Sequence, residues 1–144
     1  MAVTALLGIL AMAVLPTVKA AQKRAKETEL RRALQTLRDA IDDYKLHCDA
    51  QSPLPQDQRI PAKDPPYPAE LDDLLDGGKL IGSPTKILRI LRRIPEDPMT
   101  GNKDWSFRCF SDRPDATSWC GKDIYDVRSK STEKGTNGEP YSEW

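Results

Sequence analysis

The sequence predicts an α+β chain, with one long N-terminal helix packed on a small loop-rich head that carries a short antiparallel sheet. Three observations predict it. From Lys19 to Cys48 there is neither Gly nor Pro, and apolar residues recur at helical spacing. Gln51 to Pro68 then holds six prolines, too many for regular structure. Later, Trp105, Phe107 and Cys109 alternate with Ser106 and Arg108, and Ile124 to Val127 forms a second short apolar run, as strands do.

The chain has 144 residues, one domain's worth, with 22 Lys plus Arg against 22 Asp plus Glu. A balanced charge argues against a nucleic-acid partner, which needs a basic surplus on one face. One histidine and three cysteines leave little material for a metal centre or a Ser-His-Asp hydrolase. No nucleophile, base and electrophile fall together, so no enzyme is expected.

Residues 1–18 carry no charge, and only Thr4, Gly8, Pro16 and Thr17 interrupt their apolar run. About 18 apolar residues is the lower edge of a membrane span. Nothing basic precedes the run, whereas Lys19, Lys23, Arg24 and Lys26 follow it. That order suits an uncleaved anchor; a signal peptide, which begins with a basic region, and a buried core helix are the rivals. A basic flank favours the cytoplasmic side, which opposes a periplasmic head.

Residues 19–48 continue the helix. Leu30, Leu34, Leu37, Ile41 and Tyr44 step by three or four, and Ala33 and Ala40 widen the stripe. This stripe is expected to pack on the head, with a coiled-coil partner as the alternative. Glu27 with Arg31 and Arg38 with Asp42 are expected to pair one turn apart. The whole helix, about 45 residues at 1.5 Å each, would span nearly 70 Å. Pro16 removes a backbone donor and is expected to kink it, and Gly8 weakens it earlier.

Residues 49–144 make the head. Pro68 suits the start of a short helix with Leu71, Leu74 and Leu75 on one face, closed by Gly77-Gly78. Ile87, Leu88, Leu91 and Ile94 repeat at helical spacing up to Pro95. Ser129 to Pro140 reads as a polar loop, and Tyr141 and Trp144 are expected to pack back onto the sheet. Asp43, His47 and Cys48 have metal-ligand residue types but too few ligands to close a zinc site. Asp72, Asp73 and Asp76 read as a solvated face. The basic run Lys19 to Arg32 suits either a solubilising collar, anionic headgroups, or acidic residues such as Asp39 and Asp42 of a neighbouring copy.

This order of parts resembles the type IV pilin-like proteins, and within them the major (G-type) pseudopilin of bacterial type II secretion systems. The resemblance rests on Leu6-Leu7-Gly8-Ile9-Leu10-Ala11 through Val14-Leu15-Pro16 and the charged helix that follows. Tyr67-Pro68 before a Leu-rich segment, Ile94-Pro95-Glu96-Asp97-Pro98-Met99-Thr100-Gly101, and Asp123-Ile124-Tyr125-Asp126-Val127-Arg128-Ser129 add to it. It implies a pilin-like fold and a structural subunit that polymerises into a pseudopilus supporting protein export across the outer membrane. Leu6, Leu7, Gly8, Ile9, Leu10, Val14, Leu15 and Pro16 would form the filament core and membrane helix. The implied location is the bacterial inner membrane, single-pass, with the head in the periplasm, before assembly into a periplasmic or surface filament. The implied partners are further copies of the chain, other pseudopilins, an inner-membrane secretion assembly platform and the lipid bilayer. Family precursors carry Gly and then Phe-Thr-Leu-Ile-Glu, cut after the Gly and methylated; the expected Phe and Glu would stand just upstream of Met1.

Pilins commonly clamp their C-terminal region with a disulfide, which the resemblance brings to Cys109 and Cys120; two reduced, separately packed thiols are the alternative. Cys48 is left over. Family members also hold calcium after the late strand. Here only Glu133 and Asn137 are weak candidates, because Ser129 to Trp144 contains no aspartate and calcium wants six to eight oxygens. No cofactor is therefore expected. A type IV pilin forming a surface fibre and a membrane-anchored periplasmic binding module are the alternative functions.

Overall fold

The computed structural model describes the backbone of residues 2–83 and 85–144, and side chains from Thr17 onward except at position 84. Helix α1 runs Ala2–Cys48, 47 residues. Lys45 and His47 in its last turn suit the negative end of the helix dipole. The sheet is a single antiparallel pair, β1 (Ser106–Arg108) with β2 (Asp126–Arg128), in the register Phe107 opposite Val127. The architecture is thus α+β, one long helix against a minimal sheet. β1 lies within the alternating run Trp105–Cys109 that predicted it, whereas β2 begins two residues into the predicted Ile124–Val127 and ends one residue past it.

The core forms where the α1 stripe meets the head. Leu30, Leu37, Tyr44 and Cys48 are fully buried, and Leu34 and Ile41 nearly so. Facing them are Ile60, Tyr67, Leu74, Trp105, Ile124, Val127 and Tyr141. Each fully buried large side chain contributes about 1.5–3 kcal/mol. Trp105 also satisfies its indole by donating to the Pro95 carbonyl at 3.1 Å.

Two head segments differ from expectation. The Leu71 helix is one 3-10 turn, Leu71–Leu74, closed at its start by reciprocal bonds between Glu70 and Asp73. Residues 87–94 are not helical. Their backbone groups are used across the chain instead: Leu88 N–H donates to Gly78 O, Gly77 N–H to Leu88 O, and the amides of Ile90 and Leu91 both to Leu74 O. The extended strip leans on the 3-10 turn, buries Leu88 and half-buries Leu91 and Ile94. Gly77 permits this approach, because a Cβ there would lie 2.7 Å from Asp73 O and 3.1 Å from Tyr44 Cε2.

A buried carboxylate pins the turn that leads into β1. Asp97 accepts from Met99 N–H at 2.8 Å and from the Ser129 hydroxyl at 2.6 Å, which ties the 97–102 turn to the exit of β2.

Among the described residues, no helix is long and apolar enough to cross a membrane. This overturns the expected single-pass inner-membrane anchor with its periplasmic head. From Thr17 onward α1 carries Lys19, Lys23, Arg24 and Lys26 within two and a half turns, and its later apolar residues are committed to the core. Leu6, Leu7, Gly8, Ile9, Leu10, Val14, Leu15 and Pro16, and with them the expected kink, lie outside the residues whose side chains are described.

Candidate functional site

Two surfaces of α1 stand out: the edge that grips the C-terminal segment, and the exposed stretch Thr17–Lys26 above the head. The grip begins at Glu27, on the apolar stripe one turn before Leu30. Its carboxylate is 6% exposed and accepts from Thr136 N–H at 2.8 Å, the Thr136 hydroxyl at 2.7 Å and the Tyr141 phenol at 2.9 Å. Burial alone would push this carboxyl up. The bonds from Thr136 and Tyr141, with Lys23 nearby, outweigh burial and hold it below its ordinary value. In return, burial and the adjacent Glu27 carboxylate push the Tyr141 phenol up to about 12.

Three turns further along, Arg38 completes the grip. Its guanidinium reaches Asp126 at 2.8 Å, Val127 O at 3.2 Å and Trp144 O at 2.6 Å. Arg31 lies over the Trp144 ring, 4.5 Å from its centroid. Both arginines therefore serve the head, and the expected one-turn pairs Glu27–Arg31 and Arg38–Asp42 do not form. Tyr141 joins the core, Trp144 packs against it, and the Tyr141–Glu143 turn contacts β2.

Between Thr17 and Lys26 the head leaves the helix uncovered. All ten residues from Thr17 to Lys26 are exposed, around the whole circumference. Lys23 alone reaches down, donating to Lys134 O at 2.8 Å. At 1.5 Å per residue this bare stretch is roughly 15 Å long.

The far side of the head carries the bonded pair Cys109 and Cys120, with Cα atoms 6.0 Å apart. Asp123 organises this corner: its side chain accepts from Phe110 N–H at 2.8 Å, and its carbonyl accepts from the Trp119 indole at 2.7 Å. Around it Phe110, Trp119 and Tyr125 are exposed aromatics, with Phe110 stacked on Tyr67. The grouping of Cys109, Cys120 and Asp123 is the one metal-type cluster among the described residues, and the disulfide occupies its sulfurs.

Glu133 and Asn137 are both exposed and use their polar groups within the turn. Asn137 donates to Glu139 Oε2 at 2.7 Å and accepts from Glu139 N–H, while Glu133 O accepts from Tyr141 N–H. Cys48 is buried, and burial pushes its thiol up to about 11. His47 turns its ring to the Gln58 carbonyl, 2.6 Å away, and lies 3.7 Å from Asp43.

No protein-family model, curated protein or solved structure matches this chain. The functional reading therefore rests on geometry and on the sequence resemblance. Sequence reasoning missed Glu27 as the hub of the C-terminal grip. The signal was available: Glu27 extends the series Leu30, Leu34, Leu37 and Ile41, and a carboxylate on an apolar stripe needs a partner inside.

Proposed function

We propose that this chain is a structural subunit that assembles through its N-terminal helix into a helical filament of the type II secretion pseudopilus kind. The observation that carries the proposal is the bare stretch Thr17–Lys26. A stretch of helix that its own head leaves uncovered on every side presents its surface to something else, and a second copy of the chain can supply the cover. The grip of Glu27 and Arg38 supports the same reading, because it ties the C-terminal segment to the helix from Glu27 onward and stops short of Thr17–Lys26. Further copies of the chain are its main partners, and no cofactor or catalytic step enters the mechanism. The disulfide suits an oxidising compartment. Concentration-dependent assembly of the full chain, followed by light scattering and electron microscopy, tests the proposal: filaments support it and a persistent monomer contradicts it.

The exposed aromatics Phe110, Trp119 and Tyr125 favour a second reading, a binding module for another protein. That reading predicts a monomer at all concentrations and loss of partner binding in Phe110→Ala.

A further inference from the structure

Three lysines and three aspartates of α1 lie apart both along the helix and around it, while Arg24 and Arg32 project to the outer side. Lys19, Lys23 and Lys26 project within about 40° of the Leu37 direction, on the core side but above the head. Asp39, Asp42 and Asp43 project about 120–160° away from that direction, on the outer side and beside the head. All six are exposed. Among the described residues, Lys19 and Lys26 make no ion pair. Asp42 makes none, Asp39 accepts only from Gln35, and Asp43 meets only His47, at 3.7 Å.

We infer that the acidic stripe Asp39–Asp43 of one copy docks on the basic stripe Lys19–Lys26 of the next, with the two helices parallel and staggered by about 18 residues, roughly 27 Å. The inference deepens the filament reading and rests on it. The stripes lie on opposite sides of the helix, so translating a second copy along the core direction brings its outer face onto the first copy's bare inner face without reversing it. Such a contact is head-to-tail and does not close, which is the condition for a filament. With the stagger given, Cys48 of the second copy, the end of its α1, lies level with Leu30 of the first, about one turn past Glu27, where the first head begins. Its proline-rich exit, residues 51–68, then turns away. Opposite charge supplies both the attraction and the register, because a larger stagger carries Asp39–Asp43 onto the uncharged residues 1–18 and a smaller one carries them against the head.

The test uses the full chain as an equal mixture of light and nitrogen-15 copies, joined with a zero-length carbodiimide and read by peptide mass spectrometry. Cross-links between heavy and light copies that join residues 19–26 to residues 39–43 are expected. Asp39→Lys/Asp42→Lys/Asp43→Lys should raise the concentration needed for assembly at least about tenfold. Lys19→Glu/Lys26→Glu should do the same; Lys23 is left intact because it also holds Lys134 O. Combining both reversals in one chain should restore assembly. Tryptophan fluorescence checks that each variant is folded, and the cross-link on the unaltered chain does not depend on any variant. Filaments that lack these cross-links, join the aspartates to Lys79 or Lys86 instead, or ignore both reversals overturn the register and leave the filament reading standing. Short cross-linked oligomers without filaments keep the register and overturn the filament reading. A monomer at every concentration overturns both.

Discussion

Tyr141 donates its phenol to the carboxylate of Glu27 at 2.9 Å, across 114 positions of sequence. Tyr141 is fully buried and Glu27 nearly so. This bond, with the two from Thr136, attaches the C-terminal segment to the helix at the point where α1 leaves the head. Glu27→Ala should cost roughly 2–3 kcal/mol, because it strands a buried phenol and frees the Thr136 amide. Urea denaturation measures the loss, and faster amide exchange confined first to residues 133–144 locates it.

The same carboxylate sets a pH dependence. Its folded value lies below the ordinary 4.5, so its contribution to stability is present in full above that value. It is lost as pH falls through the lower folded value, when the carboxylate takes up a proton and stops accepting three bonds. Lys23, Glu133 and Tyr141 are the other titrating groups around it. Stability of the unaltered chain should therefore fall below about pH 4.5 more steeply than that of Glu27→Gln, as read from denaturation midpoints between pH 3 and 6.

The Cys109–Cys120 bond closes a short loop, with a sequence separation of 11. Paired replacement by serine should cost roughly 3 kcal/mol by the loop-entropy estimate. The loss should be visible as a lower thermal midpoint. Because Trp119 is anchored to Asp123 within this corner, its fluorescence should change first.

Gly77→Ala tests the strip that replaced the predicted helix. Its new methyl would meet Asp73 O, Tyr44 and Leu88, and the fold should lose roughly 1–3 kcal/mol. Gly82→Ala, where a Cβ meets nothing within 4 Å but φ is +76°, isolates the cost of backbone strain alone.

The parts legible in the sequence were those that a single local period fixes. The α1 stripe from Leu30 to Tyr44 packs as its spacing demands, and the alternation at Trp105–Cys109 became β1. The 87–94 run misled because four apolar residues at helical spacing also fit an extended strip whose hydrogen bonds go to Leu74 and Gly78. No local pattern records that choice. Arg38 shows the same limit at the site. Its sequence neighbour Asp42 is an adequate partner, but Asp126 and the main-chain oxygen of Trp144 are better ones, brought near only by the fold. Glu27 was the reverse case, a charge on an apolar stripe whose need for a buried partner could be read, although the partner's identity could not.

Electron microscopy of the full chain against its Leu10→Asp variant tests the proposed assembly through the N-terminal helix. Filaments are expected from the unaltered chain and none from Leu10→Asp, whose head remains folded with Cys109 and Cys120 bonded. Unaltered chain that stays monomeric across the concentration range, or Leu10→Asp that forms filaments in equal yield, would contradict it.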